Sequence, residues 1–342
     1  MGAMNIIKLA KELNLSISTV SKALKDSYEI SAATKQRVIE LAEKYNYKPN
    51  PFASVLRSGK SKSIAIIIPE IASHFFSVAV DAIQTMATEK GYDVFVYVTH
   101  ENLSNEISVL KRLEISLVDG VIMSLCSQTK SYNHILEFYN NTGLPIVFFD
   151  RIAMMEQFPR IVTNNYEIAF QATEHLVESG SKKIVYLCSS EWMYINKERQ
   201  RGFTDAAKKN HLSIFDDSTF INCFDDADQN YTIIHQLLLS KNRPDAILAS
   251  VEKLALIVYH VARALDINIP NDLKVISFSN LRAASLLKPS LSTISQPAYE
   301  MGEQSVKLLF KMIEKKFYKN ANDIITINSK IAIRDSTKKT NI

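Results

Sequence analysis

Apolar positions in the first 47 residues recur at helical spacing in three short runs. Ile6, Leu9, Ala10 and Leu13 share one face, Val20, Ala23 and Leu24 a second, and Val38, Ile39, Ala42 and Tyr45 a third. This i, i+3, i+4 repeat predicts three amphipathic helices. Ser16 stands at the N-cap of the second with Thr19 at N3, and Ser31 caps the third in the same way. The link Asn14-Leu15 is so short that the first two helices must cross tightly, as in a helix-turn-helix.

Beyond Lys62 the period changes. SIAIII (63–68), DVFVYV (93–98), GVIMSL (120–125) and PIVFF (145–149) are apolar runs separated by amphipathic stretches. The alternation resumes with KIVYL (183–187), DAILA (245–249) and LKVISF (273–278). Continuously apolar strands alternating with helices predict parallel sheets covered on both faces. A chain of 342 residues exceeds one core, so the pattern predicts two doubly wound lobes. A small ligand then belongs in the crevice outside the carboxyl ends of the strands. Between head and body, KPNPFASVLRSGKSKS (48–63) allows barely two helical turns after Pro51. So short a helix is expected to order only against a partner chain or nucleic acid.

Composition sharpens this picture at one point. Residues 1–62 carry eleven Lys/Arg against five Asp/Glu, a net of +6, while the remainder carries twenty-nine against thirty-one, a net of −2. A basic head on a nearly neutral body fits a polyanionic partner, although a lysine-rich solvated surface has the same charge. Cys126, Cys188 and Cys223 are few and widely spaced, as expected of thiols in a reducing compartment. No run reaches 18 apolar residues, so no membrane span is expected. GxxxxGK, GxGxxG, HExxH and clustered Cys/His are all absent, and the sequence predicts neither an enzyme nor a metal or cofactor site. His74 is the histidine expected nearest the crevice, as a lining residue.

The stretch LSISTVSKALK (15–25) puts three serines and a threonine on a helix start. Short hydroxyl side chains there let a helix N-terminus approach phosphates and base edges closely. With Val20 and Leu24 facing the core, Ile17, Ser18 and Lys22 project outward, while Ser16, Thr19 and Ser21 meet the DNA backbone or cap the helix. A weak surface turn capped by Ser16 is the plain alternative.

These residues also carry a family resemblance. LAKELNLSISTVSKALK, ISAATKQRV and YKPNPFASVLRSGKSKSIAIIIP resemble, in order and spacing, the LacI/GalR family of bacterial transcriptional regulators. So do SHFF, VFFDR, EHLVESGSKKI, RQRGF, ISFSN and LSTISQP in the body. The resemblance implies an all-α helix-turn-helix head joined to a two-lobed α/β core of the periplasmic-binding-protein type. It implies a cytoplasmic homodimeric repressor acting on double-stranded operator DNA under a small polar, sugar-like effector. The expected division is a head at 4–47, a hinge helix and linker at 48–62, and an N-terminal lobe at 63–162 plus 293–322. The C-terminal lobe takes 163–292 plus 323–337, with a flexible tail at 338–342. The residues after Asp335, STKKTNI (336–342), have no leucine heptad for a tetramerising coil.

Expected DNA contacts are Ser16, Ile17, Ser18, Thr19, Ser21, Lys22, Asn50 and Leu56, the last as a hinge wedge in the minor groove. Expected effector contacts are Phe75 in the first strand-to-helix loop, Asp150 after the fourth strand, Arg199 in the loop before GFTDAAKKN, Phe224 and Ser279. Asp150 and Arg199 suit a polyhydroxylated ligand, or else bridge each other. The chain departs from the family where Gly-Phe-Asp-Asp reads Ser277-Phe278-Ser279-Asn280, where Asn-Asp reads Val251-Glu252, and where the Asp of an Asp-Asn pair is Asn164. Two polar anchors are thus expected to be lost or weakened. The alternatives are a cytoplasmic small-molecule-binding protein or enzyme with a non-DNA-binding head, and an architectural DNA binder without an effector.

Overall fold

Each of the three N-terminal amphipathic runs is a helix. They are α1 (Ile6–Glu12), α2 (Ile17–Leu24) and α3 (Ala32–Lys44), in a computed structural model that describes residues 4–47, 61–212, 219–224, 226–314 and 323–338. Local chemistry sets their starts: Asn5, Ser16 and Ser31 accept hydrogen bonds from the backbone N–H groups of Lys8, Thr19 and Thr34. Between α1 and α2 the chain turns at Asn14, whose φ is +57°, and Leu15 N–H donates to the Ala10 carbonyl at 2.9 Å. Leu9, Val20 and Val38 are fully buried and form the centre of this small core. The buried stripe of α3 is narrower than its periodicity predicts. Val38 and Ala42 are buried, whereas Ile39 and Tyr45 are exposed, and the Tyr45 hydroxyl donates to Glu12.

The chain divides into two compact units, Met1–Ser61 and Lys62–Ile342. The second contains two six-stranded sheets. Its first lobe contains β1 (Ser63–Ile68), α4 (His74–Glu89), β2 (Asp93–Val98), α5 (Leu103–Glu114), β3 (Val121–Met123), α6 (Asn133–Thr142), β4 (Ile146–Phe149) and β5 (Arg160–Thr163). The chain then crosses into the second lobe. There it forms α7 (Asn165–Glu178), β6 (Ile184–Ser189), α8 (Tyr194–Lys209), β7 (Phe220–Cys223), α9 (Ala227–Leu239), β8 (Ala246–Ala249), α10 (Glu252–Ala264), β9 (Lys274–Phe278) and β10 (Ser292–Ser295). It returns for α11 (Ala298–Glu314) and β11 (Ile324–Ile327), and finishes in the second sheet with β12 (Lys330–Ala332).

Strand order is β11-β5-β4-β3-β1-β2 in the first sheet and β12-β10-β9-β8-β6-β7 in the second, with every pairing parallel except β10–β12. Two expected boundaries move. β10 pairs with β9, so the return crossing follows Ser295 rather than Ser292. β11 pairs with β5, so residues 324–327 belong to the first lobe and not the second. The apolar run IITI has no lobe label of its own; partner geometry decides. β1, β3, β4 and β8 are buried on both faces as their composition requires, but β2 is an edge strand with Phe95 and Val96 exposed. Cys126, Cys188 and Cys223 are buried free thiols, and burial pushes the last two up to about 12. No described helix is long and apolar enough to cross a membrane.

Gly202 allows α8 to lie directly on α7. A Cβ at that position would stand 2.1 Å from the Tyr166 carbonyl oxygen, so only glycine permits this approach. The contact fixes the height of α8 one turn after Arg199.

Candidate functional site

In the head, α2 presents its start to solvent. Ser16 Oγ accepts from Thr19 N–H at 3.1 Å and lies 2.8 Å from both Ser18 Oγ and Thr19 Oγ1. Ser16, Ile17, Ser18 and Lys22 are exposed, with Thr19 and Ser21 half-buried, while Val20 and Ala23 face the core. The surface is therefore a patch of two exposed and two half-buried small hydroxyls, one apolar side chain and one cation. The Lys22 ammonium is not idle, since it pairs with Glu29 in the turn after α2. Asn50 and Leu56 lie outside the described residues.

In the body, a cavity of about 390 Å³ opens between the lobes. Its walls are the segments that follow the strands: Pro69-Glu70 after β1, Asp150-Arg151 after β4, Phe224 after β7, Ser250 after β8 and Ser279 after β9. This is the crevice at the carboxyl ends of two parallel sheets. His100, Glu101, Asp150 and Ser190 all line it with φ between +53° and +62°, so four residues of its wall hold left-handed, non-glycine backbone.

Arg199 is the centre of the second-lobe wall. Its Nε donates to Asn165 Oδ1 at 2.8 Å and its Nη1 to the Ser250 carbonyl at 2.9 Å, while its guanidinium carbon sits 3.6 Å from the Phe278 ring centroid. Arg199 is only 3% exposed, and its Nη2 has no partner. A buried N–H donor without an acceptor is costly, and this one belongs to a side chain that lines a cavity. Burial brings Arg199 down to about 10, opposed by Tyr186 and Asp150; it stays cationic near neutrality.

Asp150 lies in the first-lobe wall. Burial raises its carboxyl above the usual range, against the attraction of Arg151 and Arg199 and a hydrogen bond from Gln296. Gln296 Nε2 donates to Asp150 Oδ1 at 2.7 Å, and the Gln296 backbone exchanges two hydrogen bonds with the Asn280 side-chain amide. A residue at the return crossing thus ties the two walls together. Beside it, Arg151 donates to Glu101 at 2.7 Å.

Comparison with known proteins accounts for both regions. Residues 6–50 match the bacterial regulatory proteins, lacI family, and residues 61–335 match the periplasmic binding proteins and sugar binding domain of LacI family. The chain belongs to the LacI family. It is 28% identical over 334 residues to catabolite control protein A of Priestia megaterium, covering 97% of this chain and 99% of that one. It is 29% identical over 330 residues to the ribose operon repressor of Halalkalibacterium halodurans, covering 96% of each. The fold is shared with the lac repressor dimer bound to operator and the anti-inducer ONPF, at a TM-score of 0.84 and 20% identity over 98% of this chain and 100% of that one. As a LacI-family member the chain is a DNA-binding transcriptional regulator and not an enzyme.

Against the LacI-family expectations, Phe75, Asp150, Arg199, Phe224 and Ser279 all line the one cavity. Two of them sit on different elements from those expected. Phe75 is in the first turn of α4 rather than in the preceding loop, stacked on Phe149 at 6.5 Å. Arg199 is inside α8, a helix that begins at Tyr194, so a rigid element and not a loop aims it. His74 falls outside the cavity wall, where His100 takes the expected lining role.

Three departures from the family read differently in three dimensions. Asn165 holds Arg199 Nε, and Asn164 accepts from Ser329 N–H at 2.8 Å, so that pair is structural on both sides. Val251 brings no polar group to the wall. Glu252 does: its Oε2 accepts from Ser279 Oγ at 2.9 Å, at the mouth of the position that lost its own carboxylate. In sequence Val251-Glu252 reads as a loss, because no linear pattern links residue 252 to 279. The sequence signal for Gln296 is its place in LSTISQP.

Proposed function

We propose that the chain is a homodimeric repressor that grips operator DNA through α2 and is controlled by a small polar ligand held between the lobes of the body. The observation that carries the ligand half is the unpartnered Nη2 of Arg199, buried in the wall of a 390 Å³ cavity. The size suits a small molecule, and a polyhydroxylated one supplies the missing acceptor while giving hydroxyl donors to Asp150. Carbohydrate is favoured by the ligands of solved relatives, which include a cellobiose complex and a D-xylulofuranose complex. The repressor reading is supported by relatives named ribose operon repressor and PurR repressor. A second copy fits the exposed Phe95 and Val96 on the unpaired edge of β2. Control of DNA by ligand requires only that the ligand bind the DNA-competent and DNA-incompetent arrangements unequally.

The decisive experiment is selection of sites from random duplexes with the full-length chain, then titration of a carbohydrate panel on the recovered duplex. The expected result is a near-palindromic site, lost on deleting residues 1–60, with an affinity that at least one compound changes. Recovery of no preferred sequence would overturn the repressor reading. A preferred site indifferent to every compound would overturn the ligand half.

A further inference from the structure

The ionic groups of the cleft are nearly, but not fully, matched. Four carboxylates, Glu70, Glu101, Asp150 and Glu252, line it with three cations, Arg151, Arg199 and Lys253. Arg151 pairs with Glu101 at 2.7 Å and Lys253 with Glu70 at 2.5 Å, the second pair reaching from one lobe to the other. Asp150 has the attraction of Arg151 and Arg199. Glu252 is left over: among the described residues it makes no ion pair, and its hydrogen-bond partner is the neutral Ser279 hydroxyl.

Two features set the surroundings and the direction of this carboxylate at the cavity. It is the first residue of α10, a thirteen-residue helix whose N-cap, Val251, offers no side-chain acceptor. The free N–H groups and the dipole there favour negative charge. Ser279, itself only 6% exposed, donates to Oε2 and accepts from Leu281 N–H at 3.0 Å, which fixes the direction of its hydroxyl. The remaining lone pairs of Glu252 have no donor from the described protein. The cleft therefore offers a fixed unpaired anion from Glu252 and a fixed unpaired donor from Arg199 Nη2.

We propose that Glu252, oriented by Ser279, is the specificity-determining residue of the cleft and selects a polyhydroxylated ligand bearing a protonated amine, such as an amino sugar. This rests on the reading of the cleft as the effector site. A hydroxyl or ring oxygen of the ligand satisfies Arg199 Nη2, and the ammonium satisfies Glu252 as a charge-assisted hydrogen bond of about twice the strength of a neutral one. A phosphorylated or acidic sugar is disfavoured, because Arg151 and Lys253 already pair with Glu101 and Glu70, Arg199 has one free N–H donor, and Glu252 faces the ligand unpaired.

The test is calorimetry on the full-length protein with three matched sets: D-glucose, D-galactose and D-mannose; the corresponding 2-amino-2-deoxy sugars; and the corresponding 6-phosphates. Wild type should bind at least one amino sugar at least tenfold more tightly than its neutral and phosphorylated counterparts. Glu252→Gln, which keeps an acceptor for the Ser279 hydroxyl and removes the charge, should erase that preference, while Ser279→Ala weakens it in part. Preference for a neutral or phosphorylated sugar, or an amino-sugar affinity unchanged in Glu252→Gln, overturns the proposal. If such a ligand is still lost in Arg199→Ala, the cleft reading stands without it. If wild type binds no member of the three sets, the proposal falls, and the selection experiment above decides the cleft reading separately.

Discussion

The indole N–H of Trp192 donates to the carbonyl oxygen of Ser127 at 2.8 Å, joining the loop before α8 in the second lobe to the loop after β3 in the first. Lys130 Nζ lies 4.3 Å from the same ring, and Ser127 N–H is itself held by Glu101 of the cleft wall. Trp192 is the one tryptophan of the chain. Its emission therefore reports the approach of the lobes with no competing indole. Ligand binding is expected to lower its quenching by acrylamide. Trp192→Phe removes one hydrogen bond from the closed arrangement, about 1 kcal/mol, and should weaken ligand binding about fivefold by calorimetry. Quenching indifferent to a ligand that calorimetry detects would show that the lobes do not move at this seam.

Arg199→Ala should abolish ligand retention while the fold survives. The variant removes the free donor, the stacking on Phe278 and the tether to Ser250 together. Loss of one charge-assisted bond alone is about 1.5–3 kcal/mol, so an affinity loss of tenfold or more is expected. Arg199→Lys should rescue little, because an ammonium cannot hold Asn165, Ser250 and a ligand in one planar fork. Calorimetry beside circular dichroism separates lost binding from lost structure.

Asp150, which lines the cavity, is buried at a cost to stability. Its folded carboxyl is raised above its unfolded value, chiefly by burial. For an acid shifted upward, the folded state holds the proton more tightly. Its favourable contribution is complete below the unfolded value of 3.8 and is lost as pH rises through the higher folded value. At pH 7, well above the unfolded value, the raised carboxyl is therefore a net cost to the empty protein. Asp150→Asn keeps an acceptor for Gln296 and should raise the melting temperature at pH 7, with the gain shrinking toward pH 4. The same variant should bind ligand less well. A melting temperature lowered at pH 7 would mean that Arg151 and Arg199 need this charge more than burial opposes it.

Lys22, proposed above as part of the DNA-gripping face of α2, pairs with Glu29. The pair is exposed, and exposed pairs are weak and screened by salt. Glu29→Gln should free the ammonium and raise operator affinity by at most about fivefold, whereas Lys22→Ala should alter the selected sequence as well as weaken binding. Identical selected sites for wild type and Lys22→Ala would reduce Lys22 to a phosphate contact. Binding by both forms should fall steeply between about 50 and 200 mM salt as counterions are released.

The parts legible in the sequence are those fixed by local rules. A serine before an apolar period gave the start of α2, because the N-cap bond spans three residues. Unbroken apolar runs gave β1, β4, β6, β8 and β9, because burial on both faces leaves no room for alternation. The illegible parts depend on what a residue meets far along the chain. Phe95 and Val96 look like core residues until β2 proves to be an edge. Residues 324–327 look like part of the second lobe until β5 claims them. Glu252 looked like a damaged motif until its side chain met Ser279, 27 residues away.

Gly202 tests whether helix packing positions the cleft. A methyl group there meets backbone, the Tyr166 carbonyl oxygen at 2.1 Å and Phe170 nitrogen at 3.0 Å, and backbone of a packed helix cannot rotate aside. α8 must then withdraw from α7, and the bond from Arg199 Nε on α8 to Asn165 on α7, now 2.8 Å, is stretched with it. Overpacking of this kind costs about 1–3 kcal/mol. Gly202→Ala should therefore lower stability to chemical denaturation and also weaken ligand binding, although residue 202 does not line the cavity. Phe203→Leu, a neighbouring core change that leaves the α7–α8 approach intact, should lower stability without a matching loss of affinity. If the two variants lose affinity in proportion to stability alone, the spacing of these helices does not set the aim of Arg199.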